Sequence, residues 1–167
     1  MILFATENNI QICELSKISV DLDTYLSWLR NVADNRFIES ARADYSMDDL
    51  KSYLTERCSN PSVRFWGIFL KDGKFIGTIK LEPIDWNERT AWVGILIGDV
   101  TERGKGYGTL AMAHVLTYAN YSLGLKEVFL GVRKENAPAI RTYEKLGFVI
   151  LEANADSYVM RKQLSIN

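Results

Sequence analysis

Between Val63 and Ile97 the apolar residues follow a strand period, and after Gly98 their spacing turns helical. That switch leaves few folds open. Val63 to Leu70 reads as a strand, Asp72-Gly73 as a hairpin turn that admits positive φ, and Phe75 to Ile84 as a second strand. Asn87-Glu88 is another turn, and Thr90 to Ile97 is the third strand of an antiparallel meander. Beyond it, Gly104 to Leu123 carries Leu110, Ala113, Leu116 and Ala119 at helical spacing and stops at Gly124. Glu127 to Val132 is an apolar strand, and Ala137 to Leu146 is a short helix with Pro138 in its first turn, stopped by Gly147. Phe148 to Leu151 and Tyr158 to Leu164 close the chain as strands. A strand, a long helix and a strand make a crossover, which pairs its two strands in parallel. The expected class is therefore α/β (α+β), a mixed sheet with helices on both faces.

The first sixty residues add a short strand over Ile10 to Leu15 and two helices. Asp21 or Asp23 can cap the first, which runs through Tyr25, Leu26 and Leu29. Ser46 with Asp49 opens the second in the manner of a capping box, and Asn60-Pro61 ends it. The chain has 167 residues, 47% hydrophobic and 25% charged, enough for one domain with a real core. A net charge of -1 gives no global field toward nucleic acid or an anionic membrane. Cys13 and Cys58 lack metal-ligand spacing and read as reduced core thiols. Met1 to Glu14 lacks the order of a signal peptide, and no apolar run approaches the roughly 20 residues of a membrane span. The expected compartment is cytoplasmic.

Two segments carry chemistry. Arg103-Gly104-Lys105-Gly106-Tyr107-Gly108 lies between a strand and a helix. Glycines let the backbone approach a ligand, and the first amides of the helix lack partners at the positive end of its dipole. A diphosphate suits that end, with Arg103 and Lys105 adding charge. Tyr107 breaks the Gly-Lys-Ser/Thr ending of a kinase-type loop, and the turn comes too late in the chain for a dinucleotide fingerprint. A flexible connection without a ligand is the plain alternative. The second segment runs from Asn136 to Phe148. Asn136 can cap its helix and Tyr143 can pack with a wet hydroxyl, neither of which needs a ligand.

Taken together, the strand Trp92 to Ile97, the Arg-x-x-Gly-x-Gly turn and the Asn-x-x-Ala-Ile-x-x-Tyr-x-x-x-Gly-Phe segment resemble the GNAT superfamily of N-acetyltransferases, in particular its RimJ/RimL (ribosomal-protein N-terminal acetyltransferase) subgroup. The resemblance spans roughly residues 65 to 150. More loosely, Trp28-Leu29-Arg30-Asn31 and Asn35-Arg36-Phe37 are similar to members found with surface-polysaccharide genes. The resemblance implies a mostly antiparallel twisted sheet whose central parallel strands splay apart, and one domain over 1–167. Residues 1–60 would form its acceptor side, and 65–150 its acetyl-CoA-binding core. It puts Leu96, Ile97 and Gly98 beside the pantetheine arm, with their amides available to it. Residues 103–108 (Arg103, Gly104, Lys105, Gly106, Tyr107, Gly108) would hold the pyrophosphate, and Asn136 would contact the cofactor.

Tyr143 is the implied proton donor to the departing thiolate, since a phenol of pKa about 10 stays protonated at neutral pH. The subgroup often has a glutamate base where this chain has Trp92. Glu82, Asp85 or water could take the proton instead, and Glu82 and Trp92 are the candidate acceptor-binding residues, Trp92 as a wall or simply as core. The single histidine, His114, lies two turns along the helix and reads as structural. Tyr25, Trp28, Phe37 and Tyr45 could line an acceptor pocket or, equally, the core. The expected reaction is direct acetyl transfer to a primary amine, on a small molecule such as an amino sugar or on a protein N-terminus. It would involve no metal, no nucleic acid and no membrane, in a monomer or homodimer with an exposed C-terminal edge strand. The alternative is a non-catalytic acyl-CoA sensor, which the missing glutamate favours and Tyr143 opposes.

Overall fold

The computed structural model describes residues 2–5 as backbone, and residues 9–33 and 42–165 in full. Asn35, Arg36 and Phe37 fall outside the described residues. Eight strands, β1 (Ile2–Ala5), β2 (Ile10–Glu14), β3 (Arg64–Leu70), β4 (Phe75–Asp85), β5 (Thr90–Ile97), β6 (Glu127–Arg133), β7 (Val149–Ala153) and β8 (Ser157–Gln163), form one sheet. Their order is β1-β2-β3-β4-β5-β6-β8-β7. All neighbours are antiparallel except β5 and β6, which the crossover makes parallel. The mixed, mostly antiparallel class read from the sequence is the one observed. β1 was not among the expected strands, and β7 starts one residue later than expected.

The helices are α1 (Leu22–Arg30), α2 (Met47–Ser59), α3 (Tyr107–Tyr121) and α4 (Ala137–Lys145). Asp21, not Asp23, caps α1, its carboxylate accepting from the Thr24 amide at 3.0 Å. Ser46 and Asp49 close a full capping box on α2, through bonds of 3.0 and 2.9 Å. These two helices cover one face of the sheet. Tyr25, Leu26, Trp28, Leu29 and Leu50 bury there against Phe65, Phe75 and Leu96. α3 and α4 lie on the other face. There Ala111, Met112, Val115, Leu116 and Ala119 pack on Trp66, Ile68, Ile79, Val93 and Leu130.

Two expectations for α3 need correction. The helix begins at Tyr107, because Gly104 and Gly106 hold φ of +74° and +85° and keep residues 104–106 out of it. Its buried stripe is centred on Ala111 and Val115, so Leu110 and Ala113 lie on the flanks, only partly buried.

Two close approaches lock the end of β5. A Cβ at Gly77 of β4 would lie 2.1 Å from the Leu96 carbonyl oxygen, and one at Gly98 would lie 2.0 Å from the Trp28 ring. Trp28 is itself held by Phe75, ring centroids 4.8 Å apart. Because the obstacle at Gly77 is backbone, it cannot swing aside. Gly77→Ala is expected to destabilise the protein by about 2–3 kcal/mol, read as a lower urea midpoint at unchanged m-value.

Candidate active site

The parallel pairing of β5 with β6 is short. Thr90 pairs with Glu127, Ala91 with Val128 and Trp92 with Phe129. Farther along, β5 stays on β4 as far as Ile97, while β6 stays on β8 as far as Arg133. The two strands therefore part, and a cleft of about 730 Å³ opens at the gap. Its walls are Ile95, Leu96 and Ile97 of β5, the glycine turn with the first turn of α3, and Asn136, Ala139, Thr142 and Tyr143 of α4. Its volume falls in the usual range for small-molecule sites.

At one end the cleft meets the N-terminus of α3. Gly106 is the N-cap and brings no side chain to the task. The Leu110 amide bonds to the Gly106 carbonyl at 3.0 Å, which leaves the amides of Tyr107, Gly108 and Thr109 without intrahelical partners. An anion of two phosphates fits such an end, since several N–H groups and the helix dipole point at it together. Gly108 faces β5, where a Cβ would make ordinary contact with Ile97 at 3.5 Å and Ile95 at 3.8 Å.

The two cations of the turn are partly committed. Arg103 Nε donates to the Ile97 carbonyl at 2.8 Å, and Lys105 Nζ pairs with Glu102 at 2.9 Å. Glu102 is buried, at 8% exposure, and also pairs with Lys74 at 2.9 Å. Lys74 reaches Asp99 at 2.8 Å, and these contacts hold the Asp99 carboxyl down at about 2.

Of the three β5-end residues whose amides were expected beside an extended ligand, Leu96 and Gly98 are corrected. The Gly98 amide donates to the Ile76 carbonyl of β4 at 2.9 Å and is not available. Peptide groups along a strand alternate in direction, so the Ile97 N–H faces the gap and Leu96 turns toward β4. The Arg103 bond to the Ile97 oxygen agrees with that direction. Ile95, of the same parity as Ile97, also lines the cleft, and the sequence reading did not include it.

On the opposite wall Asn136 does two things. It caps α4 through a long bond of 3.4 Å from the Ala139 amide, and it lines the cleft. Tyr143 is half-buried against Phe148, and burial pushes its phenol above the ordinary range. Its hydroxyl makes no hydrogen bond among the described residues. His114 lies on the body of α3, outside the cleft lining, with burial pushing its pKa down.

The face under α1 and α2 carries the remaining candidates. Trp92 is 40% exposed and stacks at a tilt on Phe129, centroids 5.7 Å apart, so it is not core. Glu82 is gripped by Lys80 at 2.6 Å and by Arg57 at 3.2 Å. Asp85 accepts from the amides of Asn87 and Glu88 in the β4–β5 turn, at the far end of β5 from the gap. Tyr25, Trp28 and Tyr45 are buried in the core under α1 and α2. Cys13 and Cys58 are free thiols, both raised by burial. No group of three metal-ligating side chains occurs among the described residues, and no described helix is long and apolar enough to cross a membrane.

Comparison with known proteins agrees with this geometry. The spermidine N(1)-acetyltransferase of Vibrio cholerae is 28% identical over 127 residues, covering 74% of this chain and 73% of its own. A streptothricin acetyltransferase of Escherichia coli is 30% identical over 119 residues, covering 69% of this chain and 64% of its own. The crystal structure of the Vibrio cholerae spermidine N-acetyltransferase with CoA and spermine superposes with a TM-score of 0.83 at 22% identity, over 95% of this chain and 97% of that one. The acetyltransferase (GNAT) domain model matches residues 14–149, and this places the chain in the GNAT family, as an acetyl-CoA-dependent N-acetyltransferase.

Proposed function

We propose that the chain acetylates a primary amine on a small molecule, by direct transfer within a ternary complex. The observation that carries this reading is the shared cleft. The uncapped end of α3 and the Tyr143 side chain open onto one cavity, with the parted β5 edge between them. The small-molecule acceptor draws support from the relatives, whose names give spermidine and streptothricin. Within the family we assign the chain to the RimJ/RimL-like members, on the motifs it shares with them. We assign residues 65–150 to binding acetyl-CoA and residues 1–60 to the acceptor side.

Each residue then has a part. The amides of Tyr107, Gly108 and Thr109, with Gly104, Gly106, Arg103 and Lys105, hold the diphosphate. Ile97 and Ile95 offer peptide groups to the pantetheine arm as a neighbouring strand would. Asn136 borders the arm from α4. The amine nitrogen attacks the thioester carbonyl, a C–N bond forms and the C–S bond breaks. The departing thiolate takes the Tyr143 proton. The phenol suits this task because burial holds it protonated through neutral pH. Water takes the amine proton, since Glu82 is held in two ion pairs and Asp85 is fixed in its turn. Trp92 forms the wall for the acceptor, with Glu82 beside it on the same face.

Calorimetric titration of acetyl-CoA tests the first half. Micromolar binding is expected for the wild type. Gly106→Val, which forces a branched residue to φ +85°, should weaken it at least about tenfold. No binding by the wild type would overturn the assignment of the cleft. Tyr143→Phe tests the chemistry and should lower kcat by about 100-fold with little change in KM for acetyl-CoA. The pH profile follows from the raised phenol. As pH rises, more amine is neutral while Tyr143 keeps its proton. The wild-type rate should climb from pH 6 to 9.5 with no falling limb, and a fall near pH 8 would rule out Tyr143 as the donor.

A further inference from the structure

Beneath the glycine turn lies a charge arrangement that the acetyl-transfer reading does not use. Glu102 lines the cleft and is 8% exposed. A buried carboxylate beside a diphosphate site works against binding, since like charges repel most where water is excluded. Two lysines answer it. Lys105, three residues on, takes one carboxylate oxygen at 2.9 Å. Lys74 takes the other at 2.9 Å and also binds Asp99 at 2.8 Å. Lys74 comes from the β3–β4 hairpin, where the positive φ of Gly73 turns the chain back.

Asp99 in turn fixes the single 3-10 turn Val100–Glu102, accepting from the Thr101 amide at 2.9 Å and its hydroxyl at 2.6 Å. One ammonium thus ties both carboxylates that flank the start of the glycine turn. Two positive and two negative charges balance there. Removing Lys74 would leave one negative charge in excess and release the turn from the hairpin.

We propose that Lys74 is a positioning residue for acetyl-CoA: it neutralises Glu102 and anchors the Val100–Glu102 turn, so that the following amides meet the diphosphate without opposition. This rests on the reading that the glycine turn holds the diphosphate. Both carboxylates are held below their ordinary range by these lysines. The network therefore stays ionised at every pH where the enzyme would be assayed, being present above the ordinary carboxylate range and lost only in strong acid.

The test compares two acetyl donors, acetyl-CoA and S-acetyl-pantetheine, which keeps the thioester but lacks the diphosphate. Lys74→Met should raise KM for acetyl-CoA about tenfold at unchanged kcat, and leave kcat/KM with S-acetyl-pantetheine as in the wild type. Lys74→Met combined with Glu102→Gln should recover most of the acetyl-CoA affinity, because the opposing charge is gone. Lys74→Arg should behave nearly as the wild type. Equal losses with both donors would mean that Lys74 only supports the fold, and would overturn the proposal, as would unchanged kinetics in Lys74→Met. If the wild type binds acetyl-CoA but Gly106→Val and Lys74→Met both bind as tightly, the diphosphate lies elsewhere, and the reading of the turn falls along with this proposal.

Discussion

β5 and β6 are partners for three residue pairs and then separate, and the cleft exists because of that separation. A parted pair of strands is costly, since each peptide group turned into the gap loses its ladder bond. The structure holds the strands apart from several sides. β4 keeps β5 in register through the pair Gly77–Ile97, and β8 keeps β6 through Ser157–Arg133. Trp28 lies flat on Gly98, where a single extra carbon would collide with it. The first turn of α3, at Gly108, lies beside Ile95 and Ile97 on the other face. The open edge of β5 is thereby a fixed row of hydrogen-bonding groups, ready for an extended ligand that replaces the missing strand.

At the α3 end of the cleft both cations of the glycine turn have partners within the protein. Lys105 is engaged by Glu102, and Arg103 reaches back to the Ile97 carbonyl. What remains constant is geometric: three amides at a helix end that no side chain caps. Gly106 is the condition for this. Ser or Asp is the usual N-cap and would occupy those amides. The same position must also adopt a left-handed φ, which glycine alone accepts without strain. The helix end is therefore left without a side-chain cap.

Much of this was legible in the sequence, and the division is physical. Features set by neighbours in the chain were read correctly: the Asp72-Gly73 hairpin, the span of β5, the Ser46–Asp49 capping box and the stops at Gly124 and Gly147. The parted strands were what the family resemblance implied, and Asn136 and Tyr143 line one cleft with the glycine turn. Features set by distant partners were not. The direction of the Gly98 amide depends on Ile76, some twenty residues earlier. The Lys74–Glu102 pair joins a hairpin to a turn 28 residues away, and neither residue stands out from its local context. The start of α3 was misplaced because positive φ values at Gly104 and Gly106 exclude residues that the apolar pattern alone would admit.

The exchange at Trp92 changes what the site asks of its acceptor. A glutamate at that place could take a proton from the arriving ammonium. An indole cannot, and the Glu82 carboxylate on the same face is held between Lys80 and Arg57. On the proposed reading deprotonation rests with water, and the rate then follows the fraction of amine that is already neutral. An amine with the pKa of a lysine side chain is neutral to only about 0.04% at pH 7, whereas one with the pKa of an α-amine is neutral to about 10–15%. The exposed Trp92 ring, stacked on Phe129, offers area to a flat or apolar body. On the proposed reading, with water as the base, the rate therefore favours acceptors whose nitrogen is weakly basic.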